Sequence, residues 1–234
     1  MVILVENAFK TSSWSCLFLT FLLYINHKIV DSSVQTQRVV IVGGGPTGLS
    51  AALTLEKRGY KDIHVLERGD LNAAETDRSY QFLINGRGQR LTDHLELTDL
   101  LSSGGVPSSQ FRNVTVLEAN GNLVTKAIPV LQEDSTENYW IPRVALMRIL
   151  QGSIKGSESI KVHYNVECSD IIMSTENRGD VITVQGRRVG KNTTGALSPL
   201  NNVRRWEADL VIGCDGINSK VRSTRCYHSN QGLL

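Results

Sequence analysis

Arg38-Val39-Val40-Ile41-Val42-Gly43-Gly44-Gly45-Pro46-Thr47-Gly48 is a β-branched run that stops in three glycines, with a fourth three residues on. Read from Gly43 it is G-x-G-x-x-G, set between a strand pattern and a helix pattern. Gly43 allows a tight turn, Gly45 lets the main chain approach a pyrophosphate, and Gly48 lets the following helix pack closely on the strand. The helix N-terminus, with free N–H groups and the positive end of its dipole, favours an anion there. The Leu49, Ala52 and Leu53 stripe continues the helix, and a second strand, Ile63-His64-Val65-Leu66, ends in Glu67. That carboxylate falls about where the fingerprint sets the acid for the ribose hydroxyls, roughly 20 residues beyond the glycines. The opening is predicted to be a βαβ unit that binds a dinucleotide.

The rest of the composition narrows the class. The chain has 234 residues, enough for one substantial core or one and a half domains. Its net charge of +2 gives no reason to propose nucleic acid or an anionic membrane as the main partner. Cys16, Cys168, Cys214 and Cys226 show neither a C-x-x-C pair nor a metal-ligand spacing with histidine, and read as thiols. No zinc site, other metal site or Ser-His-Asp triad is expected, and no residue is singled out as catalytic.

The N-terminus reads as separate from the fold. Residues 14–25 are an uncharged apolar run preceded by Lys10 and followed by His27 and Lys28. The run is short for a membrane span, which needs about 20 residues, and suits the apolar part of a signal or weak signal anchor. It predicts an organellar, secretory-pathway or membrane-associated location, with membrane association through 14–25. Residues 31–37 read as a polar linker. Sequons at Asn113 and Asn192 matter only in the secretory pathway.

Downstream, Arg68 to Asn85 reads as a polar loop carrying Arg78-Ser79-Tyr80. Leu91, Leu95, Leu97 and Leu100 have helical spacing that closes near Gly104-Gly105, with Pro107 beyond. Asn113 to Leu117 and Val124 to Val130 read as a hairpin turning at Asn120-Gly121-Asn122. Pro142 opens an amphipathic helix that closes at Gly152. Lys161 to Val166 and Val181 to Val184 alternate as strands, and Lys191 to Asn202 reads as a loop. Ala208-Asp-Leu-Val-Ile-Gly213 is a buried strand running into Cys214-Asp215-Gly216. The predicted fold is α/β: a Rossmann-like domain with an inserted antiparallel β element.

Asp215-Gly216 at the end of a buried strand sits at the edge where open α/β sheets bind ligands. Ser219 can cap a following helix. By itself the stretch is as well explained by a strand, a turn and a cap.

With both motifs in order, the chain resembles the class A FAD-dependent aromatic hydroxylases, and within them the kynurenine 3-monooxygenases, from about Arg38 to Arg222. Gly43, Gly45 and Gly48 match the FAD fingerprint, and Glu67-Arg68 matches the ribose-binding Glu-Arg. Arg78-Ser79 with Arg87-Gly88 matches a loop and helix start of the kynurenine enzymes. Arg143 matches an arginine that contacts FAD. Asp215 and Gly216, with Ser219 and Arg222, match the Asp-Gly motif used around flavin and nicotinamide cofactor. The resemblance implies an FAD-dependent aromatic-ring monooxygenase that uses NADPH or NADH, molecular oxygen and a small aromatic substrate. The backbone at Gly43, Gly45, Thr47 and Gly48 would hold the pyrophosphate and Glu67 the adenosine ribose. Arg78 and Arg143 would hold the phosphate or ribityl region, and Asp215 would serve the cofactor cleft. Arg143 lies in a first helical turn, where a cation opposes the dipole unless an anion is near; Arg78 equally suits a solvated loop.

Two departures stand out. A later Gly-Asp motif of the family has no counterpart after Arg222, so the chain is expected to be the N-terminal part of such an enzyme, with little turnover alone. Arg112 falls near the family's substrate-carboxylate arginine, whereas Val130 stands at the position of its tyrosine. The expected organisation is a targeting segment and linker over 1–37 and FAD-binding parts over 38–110 and 136–225. A substrate-domain hairpin over 111–135 and an unstructured tail over 226–234 complete it. A non-catalytic dinucleotide-binding or interaction scaffold is the competing expectation.

Overall fold

The computed structural model describes residues 2–4, 37–71, 80–108, 111–129, 137–174, 181–191 and 197–229. In chain order the elements begin with β1 (Val2–Leu4), β2 (Arg38–Val42), α1 (Pro46–Lys57), β3 (Asp62–Glu67) and β4 (Gln81–Ile84). Next come α2 (Gly86–His94), α3 (Thr98–Gly104), β5 (Val106–Pro107), β6 (Phe111–Leu117), β7 (Leu123–Pro129), β8 (Tyr139–Pro142) and α4 (Arg143–Ile154). The chain continues through β9 (Ile160–Tyr164), β10 (Val166–Ser174), β11 (Val181–Lys191), β12 (Leu197–Ala208), β13 (Leu210–Gly213) and α5 (Lys220–Ser229). They divide into two units, Met1–Thr76 with Leu150–Leu234, and Asp77–Ile149.

The first unit is built on a parallel sheet of order β1-β13-β2-β3-β9. Its central strands are near-continuous β-branched runs because both faces are covered. Val39, Val40, Ile41, Ile63, Val65, Val211 and Ile212 have no exposed surface, each contributing about 1.5–3 kcal/mol relative to an exposed side chain. α1 buries Leu49, Ala51, Ala52, Leu53 and Leu55, and closes at Gly59 in the left-handed region, where Tyr60 N–H donates to the Leu55 carbonyl. An antiparallel sheet, β10-β11-β12, shares a second apolar cluster with the parallel one: Val166, Ile171, Ile182, Val184 and Ala208 join Val40, Val42, Leu66 and Val211. Gly186 is required there, since a Cβ would stand 2.8 Å from the Trp206 ring.

The second unit holds a small antiparallel sheet, β4-β8-β5, and the β6–β7 hairpin. The hairpin spans Phe111 to Pro129 in continuous register, with Arg112 opposite Ile128. The Arg112 side chain lies outside the described residues, as do Val130 and Asn192.

Several expectations change. The Leu91–Leu100 stripe is two helices, not one: Glu96 adopts φ +60°, and Leu97 N–H donates back to the Thr92 carbonyl. The polar loop ahead of Asn85 contains a strand, β4, paired with β8. The loop expected over Lys191–Asn202 contains the first half of β12, paired with β11 even through Pro199. α5 runs to Ser229, into the expected tail.

Membrane association through 14–25, and the location inferred from it, are corrected. Among the described residues no helix is long and apolar enough to cross a membrane. The longest, α1 and α4, have 12 residues each against the roughly 20 a span needs. Val2–Leu4, within the expected targeting segment, pairs in parallel with β13 instead, while residues 14–25 lie outside the described residues.

Candidate FAD site

The C-terminal edge of the parallel sheet brings two turns side by side, because β2 and β13 are hydrogen-bonded neighbours. The glycine turn follows β2. Gly43 adopts φ +104°, a conformation that costs a side chain strain, and its N–H donates 2.8 Å to the Leu66 carbonyl. A Cβ on Gly43 would run into the Cys214 carbonyl, and one on Gly48 into the Gly43 carbonyl. Gly45 is different: among the described residues, nothing beyond its chain neighbours lies within 4 Å of the place its Cβ would take. It is the N-cap of α1, no side chain caps this end, and Pro46 occupies the first turn. The resulting open cradle of backbone amides has the shape and polarity that a pyrophosphate requires.

Glu67 closes one side of that cradle. Its Oε2 accepts from Gly44 N–H and its Oε1 from Gly69 N–H, each at 2.7 Å. Gly44 was passed over in the sequence pattern, yet a Cβ there would lie 2.8 Å from Glu67 Cβ. A carboxylate oxygen has room for a second donor, so both can still accept from a sugar hydroxyl. The adjacent Arg68 is exposed.

The second turn follows β13. Cys214 N–H donates 2.7 Å to the Val42 carbonyl, fastening it to the glycine turn. Asp215 Oδ2 accepts from Lys220 N–H at 2.6 Å, and Ser219 Oγ from Arg222 N–H at 3.0 Å. Arg222 also donates from its guanidinium to the Ile217 carbonyl. These bonds cap α5, as Ser219 led one to expect. Asp215 Oδ1 is buried without a partner among the described residues. An unsatisfied buried acceptor costs about 1–3 kcal/mol, so this oxygen is poised for a donor. Gly216 sits at φ +79° with open space about it.

Cys214 and Cys168 are free thiols, both pushed up to about 12, chiefly by burial and then by the Asp215 charge. At neutral pH they are protonated and unreactive. Away from the turns, His64 Nδ1 and His163 Nε2 lie 2.8 Å apart, and His64 Nε2 is 3.1 Å from Asp62 Oδ1. Burial lowers the His163 pKa, helped by the charges of His64, Arg204 and Lys161.

The structure therefore brings Gly43, Gly45, Thr47, Gly48, Glu67, Arg68, Asp215 and Gly216 together in one unit. Arg143 belongs to the other, where its N–H donates to the Tyr80 carbonyl at 3.0 Å. Arg78 lies outside the described residues.

The chain is 28% identical over 191 residues to kynurenine 3-monooxygenase of Anopheles gambiae, covering 80% of this chain and 35% of that protein. It is 31% identical over 194 residues to the chloroplastic zeaxanthin epoxidase of Solanum lycopersicum, covering 80% and 25%. Among solved structures, the flavin-dependent monooxygenase PieE in complex with FAD and substrate superposes with a TM-score of 0.63 at 20% identity, over 81% of this chain and 32% of that one. The chain thus spans about a quarter to about a third of the length of these relatives. The FAD binding domain family matches residues 36–231, and the chain belongs to that family.

Proposed function

We propose that the chain is the FAD-holding part of an NAD(P)H-dependent monooxygenase that acts on a small aromatic ring. The observation that carries this is the uncapped start of α1 at Gly45, walled by Glu67 and the Asp215 turn, in a chain of the FAD binding domain family. The kynurenine 3-monooxygenase likeness supports an aromatic substrate. The Gly45, Thr47 and Gly48 backbone holds the pyrophosphate against the dipole of α1. Glu67 keeps the turn in shape through Gly44 and Gly69 and accepts from the adenosine ribose. Asp215 Oδ1 takes a hydrogen bond from a cofactor hydroxyl, with Gly216 leaving room for its approach. The resemblance further assigns Arg78 and Arg143 to the cofactor and Arg112 to a substrate carboxylate, assignments that single substitutions test.

Bound FAD supplies the redox chemistry, passing electrons from NADPH or NADH to molecular oxygen. The overall balance is ArH + O2 + NAD(P)H + H+ giving ArOH + NAD(P)+ + H2O. The chain's own residues bind and orient; none of those described has to act as a nucleophile.

The direct test is the visible spectrum of the purified chain, with released cofactor identified by chromatography. A bound-flavin spectrum and free FAD on denaturation are expected. A folded, colourless chain that takes up no added FAD contradicts the proposal. Labelled dioxygen then tests the reaction: one labelled atom in a hydroxylated aromatic product, dependent on NAD(P)H, is expected of the full-length protein.

A further inference from the structure

Resting on the FAD reading, we propose that Tyr164 forms the wall of the adenosine end of the site and packs its ring against the adenine. The sheet order carries the placement. The pyrophosphate cradle follows β2, the ribose carboxylate Glu67 ends β3, and the next strand outward, β9, ends in Tyr164. Tyr164 is the register partner of Glu67, so both side chains leave the same face at the same edge. Strands lie about 4.8 Å apart, so a ligand laid along this edge from pyrophosphate to ribose reaches its base one strand further, at β9.

The surroundings of Tyr164 hold it for that purpose. Its hydroxyl accepts from Gln151 Nε2 at 3.4 Å, and the same amide reaches the Leu71 carbonyl at 3.3 Å. That bridge ties the tyrosine to the turn following Glu67. Asn165, next in sequence, adopts φ +57°, unusual for a residue with a side chain. Its N–H donates 3.0 Å to the Gly69 carbonyl, and its carbonyl accepts from Val189 N–H at 2.9 Å. Gly69 in turn donates to Glu67. Glu67, Gly69, Asn165 and Tyr164 are therefore linked in one rim, and strain at Asn165 is tolerated because Gly69 and Val189 fix its backbone on both sides. The tyrosine is half-buried, and its pKa is raised by burial first, against the Gln151 hydrogen bond, with the Glu67 charge adding to the rise. The carboxylate and the ring thus share one electrostatic environment. A fixed, partly exposed aromatic ring one strand beyond a ribose carboxylate suits a flat heteroaromatic base, which stacks on it.

The experiment titrates the full chain with ADP and with its fluorescent etheno-adenine analogue, whose emission is quenched by stacking on an aromatic ring. Quenching on binding is expected for the unaltered chain and for Tyr164→Phe. Tyr164→Leu is expected to bind ADP about tenfold more weakly and to lose the quenching, with an unchanged circular dichroism spectrum. Binding without quenching by the unaltered chain overturns the inference without recourse to any variant. So does a folded Tyr164→Leu chain with unchanged affinity and quenching. If the unaltered chain binds neither ADP nor FAD, the cradle reading itself fails. If it binds both and Tyr164 proves indifferent, only the adenine wall is lost.

Discussion

Two neighbouring strands, β2 and β13, each end in a tight turn that starts a helix, and the two starts are finished in opposite ways. α5 is closed by the protein: Asp215 Oδ2 and Ser219 Oγ accept its first amides. α1 is left open: Gly45 caps it without a side chain, and Pro46 removes one donor from the turn. Helix starts leave four unsatisfied amides, so an end without a cap is either solvated or reserved for an anion. The difference shows that a glycine-rich turn is informative for what it withholds. Among the described residues the protein supplies its own carboxylate to α5 and none to α1.

Changes at the closed-packed glycines should break the comparison most severely. Gly48→Ala sets a Cβ against the Gly43 carbonyl, and Gly43→Ala combines a clash at Cys214 with an unfavourable φ. Each is expected to cost about 3 kcal/mol or more, seen as a large fall in urea midpoint or as failure to fold. Next comes the closed start. Asp215→Ala should destabilise the chain by about 1–2 kcal/mol through lost capping of α5, and Ser219→Ala by about 1 kcal/mol. Added FAD should raise stability more in Ser219→Ala than in Asp215→Ala, because the aspartate carries the buried oxygen left for a ligand and its loss weakens binding at the otherwise intact cradle. Equal recovery in both would remove Asp215 from the site.

The smallest effect lies outside both turns and checks that they, and not general electrostatics, carry the ligand dependence. His163 has a lowered pKa when folded, so the folded chain binds fewer protons than the unfolded one near its titration. Its contribution is full above the ordinary value of about 6.5 and declines as pH falls through that value towards the lowered one. The urea midpoint should fall modestly from pH 7 to pH 5, less so in His163→Gln, with FAD affinity at pH 7 unchanged by the substitution.

Much of this was readable from the sequence, for identifiable reasons. The parallel sheet announced itself because Val39–Val42 and Leu210–Ile212 are buried on both faces and must be apolar throughout. The glycine turn was legible because Gly43 and Gly48 have no substitute where a carbonyl occupies the place of a Cβ. β4 was missed because four residues carry little periodicity, and β12 because Pro199, Asn201 and Asn202 favour loops; in both, pairing with a partner strand overrode local preference. The helix break at Glu96 depends on a left-handed backbone that leucine spacing does not report. Within the site, Gly44 and the free oxygen of Asp215 were invisible, since both follow from contacts across more than one strand. Tyr164 was missed likewise: only the register of β9 against β3 sets it beside Glu67.

The most direct measurement is the FAD affinity of Gly45→Ala beside that of the unaltered chain, with unfolding midpoints for both. Its φ of −74° suits alanine and, among the described residues, no atom beyond its chain neighbours lies within 4 Å of the new methyl, so stability should change by only about 0.5 kcal/mol. The methyl instead fills the space through which a pyrophosphate approaches the start of α1, so at least a tenfold loss of FAD affinity is expected. A stable Gly45→Ala chain that binds FAD as tightly as the unaltered one would contradict the claim that this open helix start holds the cofactor.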